Sequence, residues 1–268
     1  MDFKKVILIS DLDGTLLTDD KRISEKDIYA IEEFRSGGGL FTAATGRGVA
    51  MAENVVKKIG IDIPCVIFNG AAVYDFNRRE FLWHSSMPDC AYDYIRGLEA
   101  EFPDIGIEIL RGEAVYVTDY NETVGEHLAI EQIKAVLCGL DDAPKGDWLK
   151  VLIAYPPEKI GGVIEYTREK CQTGVNWVHS SPMYYEMLPE GISKGYGYKK
   201  LLSLLGKEDL FTVAVGDYGN DYDMVRSADL GVAVANAQEQ IKSTAKLIVS
   251  DNNNSPISRI IDYIKELD

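Results

Sequence analysis

The stretch "KVILISDLDGTLL" (Lys5–Leu17) decides the fold. Its apolar run has no polar alternation, the pattern of a strand buried on both faces in a parallel sheet. The run stops at Asp11 and Asp13, with Leu12 between them and Gly14 and Thr15 following. Residues i and i+2 of an extended segment point the same way, so the two carboxylates converge above the strand's carboxyl end. Close carboxylates repel, and one keeps its proton unless a cation intervenes.

Outward from this strand the chain alternates short β-branched runs with helical patterns. "SEKDIYAIEEFRSGG" reads as a helix, with Ser24 as N-cap and Asp27 three residues on. "LFTAATG" (40–46) and "CVIFNGA" (65–71) read as strands, separated by a helix whose apolar face ends at Gly60. Near the other end the rhythm returns. "KGYGYKKLLSLLG" reads as a helix, and "FTVAVGD" (211–217), "LGVAVAN" (230–236) and "KLIVS" (246–250) read as strands. "SPISRIIDYIKEL" reads as a closing helix, with Ser255 as N-cap and Pro256 at its first position. This alternation predicts an α/β fold, a Rossmann-like parallel sheet covered on both faces.

The middle differs. Strands are expected at 105–110, 114–118, 148–155, 175–181 and 184–189, and helices at 88–101, 122–134 and 157–171. Consecutive strand pairs with short connections indicate antiparallel hairpins. The expected organisation is a core of 1–82 and 189–268 with an α+β cap, 83–188, inserted between its halves.

Composition narrows the function classes. The chain has 268 residues, 46% hydrophobic and 26% charged, enough for a sizeable core. With 28 Lys and Arg against 43 Asp and Glu, the formal charge of −15 offers no general attraction to nucleic acid or an anionic membrane. The four cysteines form no C-x-x-C pair and read as reduced buried thiols. The start "MDFKKVILIS" is too short in its apolar part for a signal peptide, and no stretch approaches the ~18 apolar residues of a membrane span. A soluble, cytoplasmic protein is expected.

Parallel sheets bind ligands at the carboxyl ends of their strands. Asp11 and Asp13 follow the first strand, Thr45, Gly46 and Arg47 the second, Asn69 and Gly70 the third, and "GDYGND" (Asp217, Asn220, Asp221) the fourth. An oxygen-only ligand cluster suits a hard cation, Mg²⁺ above all. Mg²⁺ with carboxylates usually serves phosphate chemistry, and a phosphate needs donors. Thr45 offers a hydroxyl, Gly46 a backbone N–H at a helix start, and Lys194 a full positive charge at the start of another helix. These parts fit hydrolysis of a phosphate monoester. Each part alone has a plainer reading: a turn for Asp-x-Asp-Gly, an N-cap for Thr45, a solvated charge for Lys194. Their joint placement after strands and at helix starts is what selects the chemistry.

"DLDGTLL", "ATGR", "SKG" and "GDYGND" resemble the four motifs of the haloacid dehalogenase superfamily of phosphohydrolases, and "FNGA" and "GVAVANA" resemble its Cof-type branch, subfamily IIB. The position of the insertion is similar to that of a C2 cap. The resemblance implies that Asp11 is the nucleophile forming an aspartyl-phosphate, and Asp13 the general acid and then base. It implies that Mg²⁺ is held by the Asp11 carboxylate, the Asp13 carbonyl and Asp217, with Asp221 a further ligand or the holder of a bound water. Thr45, Gly46, Lys194, Asn220 and the Leu12 N–H would bind phosphoryl oxygens, with Arg47 and Asn69 as candidate substrate contacts or structural residues. Tyr218 and Gly219 stand where many relatives have asparagine and glutamate. The implied substrate is a small phosphorylated metabolite such as a sugar phosphate, pyridoxal phosphate or flavin mononucleotide. A phosphotransferase or mutase, and a non-catalytic phosphometabolite-binding module, are the alternatives. His84, His127 and His179 show no metal-ligand spacing.

Overall fold

The computed structural model describes residues 1–267. The chain forms two compact units: Met1–Gly46, Glu53–Trp83 and Ser193–Asp268 make the first, and Arg47–Ala52 with His84–Ile192 make the second. Asp268 itself, the last residue of the expected core, lies outside the described residues.

The chain opens with β1 (Val6–Ser10), α1 (Glu25–Ser36), β2 (Leu40–Ala43), α2 (Val49–Ile59), β3 (Cys65–Ile67), β4 (Ala72–Asp75) and β5 (Glu80–His84). β1 is buried at every position, as its unbroken apolar pattern requires. The expected strand 65–71 is cut short at Ile67, because Phe68, Asn69 and Gly70 all take positive φ (52°, 52° and 101°). The chain then reverses, and β4 pairs antiparallel with β3, Cys65 opposite Tyr74. β4 and β5, which complete a sheet in the order β3-β4-β5, are strands the sequence reading does not expect, and β5 runs across the expected 82/83 boundary.

In the second unit α3 (Cys90–Glu101), β6 (Gly106–Arg111), β7 (Ala114–Asp119), α4 (Glu122–Ile130), β8 (Val136–Leu137), β9 (Lys150–Ala154), α5 (Ile160–Lys170), β10 (Val175–Ser181) and β11 (Tyr184–Pro189) follow. The strands form one sheet in the order β10-β11-β9-β6-β7-β8. Alternate residues Ile107, Ile109, Val151, Ile153 and Met187 face Ile95, Leu98, Ile160 and Val163 of α3 and α5 in one core. The helix expected over 122–134 stops at Ile130. Gln132 turns left-handed at φ 54° and the Ile133 N–H returns to the Leu128 carbonyl at 2.9 Å, a C-terminal closure with no glycine to announce it. Val175 pairs with Pro189, and the Asn176 amide donates to the Ile192 carbonyl at 3.1 Å, which carries this unit past residue 188.

The first unit resumes with α6 (Lys194–Leu205), β12 (Phe211–Gly216), α7 (Tyr222–Ser227), β13 (Leu230–Ala233), α8 (Glu239–Thr244), β14 (Leu247–Ile248) and α9 (Pro256–Glu266). Its sheet runs β14-β13-β12-β1-β2, every neighbouring pair parallel, and Ala44 bridges to Val66 at the β3 side. This is the α/β class the sequence predicts. Ile7, Ile9, Val66 and Ala214 pack with Tyr198, Leu201 and Met224 of α6 and α7. α1 and α9 are joined by Asp27, whose Oδ1 accepts the Ser258 N–H at 2.7 Å. Ser255 is not the side-chain cap expected: its backbone is left-handed (φ 55°) and its side chain caps nothing, because the buried Asp27 already serves α9. All four cysteines are free thiols, and burial pushes Cys65 up to about 11. Among the described residues no helix is long and apolar enough to cross a membrane.

Candidate active site

The Asp11 N–H continues the ladder to the Val215 carbonyl at 3.0 Å, and its side chain stands at the end of β1, only 7% exposed. Leu12 buries its side chain, and its carbonyl accepts the Leu17 N–H at 2.8 Å, turning the chain back on itself. Gly14 makes that turn at φ +73°, where a Cβ would lie 2.5 Å from Asp217 Oδ2. A side chain there is excluded both by conformation and by space. Thr15 donates its hydroxyl to Asp217 Oδ1 at 3.0 Å.

Asp217 follows β12. After it a single 3₁₀ turn, Gly219–Asp221, folds Asp221 back under the strand end. Asp221 Oδ2 accepts the backbone N–H groups of Asp217 (2.9 Å) and Tyr218 (3.2 Å). Lys194 begins α6, capped by Ser193, whose Oγ accepts the Tyr196 N–H at 3.2 Å. Its fully buried ammonium donates to Asp11 Oδ1 at 2.5 Å and to Asp221 Oδ1 at 2.7 Å. A cation at a helix N-terminus opposes the helix dipole, and the two carboxylates supply the compensation. α6 approaches the β3 turn so closely that a Cβ on Gly70 would sit 2.0 Å from the Ser193 carbonyl oxygen.

Thr45 is buried after β2, linked through its N–H to the Val66 carbonyl (2.9 Å) and through its carbonyl to the Asn69 N–H (3.0 Å). Asn220 donates its amide to Asn69 Oδ1 at 3.0 Å, so Asn69 positions the Asn220 side chain. Gly46 does not open a helix as the sequence suggested. α2 starts at Val49, and Gly46 packs against the Asn69 side chain, where a Cβ would be 3.1 Å away. Within the second unit the Arg47 guanidinium is forked onto Glu131 (2.5 and 3.1 Å). Asp13 points elsewhere, to the Lys21 ammonium at 2.7 Å. Thr15, Lys21 and Asn236, whose amide holds the Gly14 carbonyl at 2.7 Å, are contributors that motif spacing did not single out.

Asp11, Asp217 and Asp221 offer oxygens that all lie within 4.8 Å of one another. Burial is the largest cause holding Asp11 well above the usual carboxylate range; Asp221, Asp217 and Asp13 add to it, and Lys194 opposes. Burial, then the Asp221 charge, pushes Asp217 up to about 7. Burial would lower Lys194, but Asp11 and Asp221 override it and keep the ammonium charged. One buried lysine facing three crowded carboxylates leaves negative charge that a hard divalent cation would neutralise, and the oxygen-only donor set fits such an ion. Both oxygens of Asp221 are engaged, so Asp11 and Asp217 have the more available ones. None of the histidines joins this cluster; His127 Nδ1 instead lies 2.7 Å from Glu108 Oε1.

The family model for haloacid dehalogenase-like hydrolases matches residues 8–261. In Bacillus subtilis, a 5-amino-6-(5-phospho-D-ribitylamino)uracil phosphatase is 25% identical over 271 residues, covering 97% of this chain and 98% of its own. A pyridoxal phosphate phosphatase of Escherichia coli is 24% identical over 292 residues, covering 95% and 97%. A solved subclass IIB sugar phosphatase of the superfamily has the same fold, with TM-score 0.83 at 21% identity over 97% of this chain and 99% of that one. The chain belongs to the haloacid dehalogenase-like hydrolases. Within them it is a phosphatase of the Cof type.

Proposed function

We propose that this phosphatase is Mg²⁺-dependent, acts on a small phosphorylated metabolite such as a sugar phosphate, and works through an aspartyl-phosphate on Asp11. The observation that carries this reading is the convergence of Asp11, Asp217 and Asp221 within 4.8 Å around the buried Lys194 ammonium. Asp11, the Asp13 carbonyl and Asp217 would hold Mg²⁺, with Asp221 as a further ligand or the holder of a bound water. When bound, the ion neutralises charge on the phosphoryl group and the carboxylates.

Asp11 attacks phosphorus in line as the bond to the leaving oxygen breaks. Asp13 gives its proton to that oxygen, then takes one from the water that cleaves the aspartyl-phosphate. Thr45, Gly46, Lys194, Asn220 and the Leu12 N–H bind the phosphoryl oxygens, so most of the work is positioning and charge stabilisation. The second unit, 84–192 with 47–52, serves as the C2-type cap that sets substrate choice, and the free cysteines suit a reducing cytoplasm. Relatives acting on a ribitylamino-uracil phosphate, pyridoxal phosphate and a sugar phosphate support a small organic leaving group.

The test is phosphate release from a panel of phosphometabolites with and without Mg²⁺, with Asp11→Asn as control. Mg²⁺-dependent turnover lost in the variant supports the mechanism. Turnover without Mg²⁺, or unchanged in the variant, overturns it.

A further inference from the structure

The six-stranded sheet of the second unit has two edges, and they are finished differently. β10, at one end, shows Asn176, His179, Ser180 and Ser181, with a register shift between His179 and Ser181. Polar residues and a bulge discourage the addition of a further strand. β8, at the other end, has neither. Its two residues are Val136, 50% exposed, and Leu137, 65% exposed, and Ile130 at the end of α4 is 63% exposed. Among the described residues these are three of the nine large hydrophobics that face solvent, gathered within 130–137. Single exposed apolar residues are ordinary, but a group of them on an unprotected edge marks an interaction surface.

The backbone at this edge is also set to receive a strand. β8 runs parallel to β7, with Val136 opposite Tyr116 and Leu137 opposite Val117. The Cys138 N–H donates to the Val117 carbonyl at 3.1 Å, so the polar backbone groups of Cys138 face β7. Those groups alternate sides along a strand, so the N–H and C=O of Leu137 point outward, past the end of the sheet. The side chains alternate too. Leu137 lies on the α4 face with Val117 and Ala135, and Cys138 on the opposite face, packed against the core under α3 and α5.

An antiparallel two-fold pairing centred on Leu137 uses every one of these features twice. Leu137 exchanges both backbone bonds with Leu137 of a second copy, and the α4 face then carries both leucines, bordered by both Ile130 side chains. Val136 of each copy falls opposite Cys138 of the other. The segment before β8 in one copy lies beside the segment after β8 in the other, which brings exposed Lys134 to exposed Asp142 at both ends. Burial and then the Asp142 charge push the Cys138 thiol up, in keeping with a carboxylate beside the strand's end. An unrelated peptide would gain each of these contacts once and would need its own matching charges.

We propose that β8 is a dimerisation edge: two copies of this chain join antiparallel along it, Leu137 opposite Leu137, so that their two six-stranded sheets become one. The pairing uses residues of the second unit alone and is independent of the chemistry at Asp11.

Sedimentation velocity of the full chain through the micromolar range reads the assembly state. Wild type is expected to move from 29.8 kDa to twice that mass as concentration rises. Leu137→Lys puts a charge where the single chain already exposes a side chain, and should raise the dissociation constant at least about 100-fold while far-UV circular dichroism stays unchanged. Lys134→Glu should raise it about 10-fold, and adding Asp142→Lys to the same chain should recover it. The register is read separately. Residues opposite one another beside a hydrogen-bonded antiparallel pair lie about 4.5 Å apart at Cα, within disulfide reach. Val136→Cys under mild oxidation should therefore give a covalent dimer linked to Cys138 of the second copy, identified by mass spectrometry of the joined peptides. A wild type that stays at 29.8 kDa overturns the inference and leaves β8 to a strand from a different protein. So does a dimer that tolerates Leu137→Lys, one as tight in Lys134→Glu as in wild type, or a covalent dimer joined through Cys65, Cys90 or Cys171 instead.

Discussion

The side-chain amide of Asn220 donates to Asn69 Oδ1 at 3.0 Å, joining two strand ends that lie 151 residues apart in sequence. Asn69 therefore orients the Asn220 amide, the group proposed to bind phosphate, without being required to touch phosphate itself. Asn69→Ala frees the Asn220 amide to rotate and opens space beside Gly46. The expected result is a KM raised roughly 10-fold, in keeping with a lost hydrogen bond near a charged ligand, with a smaller fall in kcat. Steady-state kinetics on the best substrate decides it; an unchanged KM removes Asn69 from phosphate recognition.

Lys194, its side chain fully buried, links Asp11 and Asp221. Lys194→Met leaves two buried carboxylates without their counter-ion. Such a loss costs about 3–5 kcal/mol of stability, and activity should fall at least about 100-fold. Adding Asp221→Asn to the same chain removes one of the orphaned charges, so stability is partly recovered while activity is not. Urea unfolding of the three proteins checks this, and a single variant as stable as wild type contradicts it.

Burial and mutual repulsion raise Asp11, and push Asp217 from 3.8 to about 7. A carboxyl with a raised folded-state pKa favours the fold when protonated, and that contribution is lost as pH climbs through the raised value. Metal-free protein should therefore lose thermal stability between about pH 5 and about pH 7.5, and Mg²⁺ should restore more of it the higher the pH. Melting curves in chelator and in Mg²⁺ test both halves. A metal-free Tm that rises across that range is incompatible with the crowded-carboxylate site.

Asp27 caps α9 from α1 through a buried 2.7 Å bond to the Ser258 N–H, and burial holds its carboxyl above the ordinary value. Asp27→Ala should cost about 1–2 kcal/mol, within the range for a lost N-cap, and Asp27→Asn should cost less because the accepting oxygen remains. Denaturant midpoints separate the two variants; equal losses would mean that the charge rather than the cap matters.

Much of this architecture was legible because β1 announces itself twice, by an apolar run without alternation and by the aspartates that end it. Asp217, Asp221 and Lys194 could be placed at the same edge because each follows a strand or opens a helix. What escaped lies in backbone geometry that residue type does not signal. Phe68 and Asn69 take positive φ without being glycine, which ends β3 early and hides the β4 return. Gln132 does the same at the end of α4. Lys21 and Asn252 are not singled out by the sequence because their partners, Asp13 and Asp19, are set by the fold and not by spacing.

The strand order also has a consequence in time. β1 lies between β2 and β12, and Thr15 meets Asp217 across 202 residues of chain. On the ribosome β1, with Asp11 at its end, is therefore made long before β12, the strand that covers one side of it. Until then β1 has an open edge, a buried-type sequence temporarily exposed to other chains. A nascent chain of this kind is chemically inert and adhesive together, and it leaves both conditions in the same event, when β12 docks.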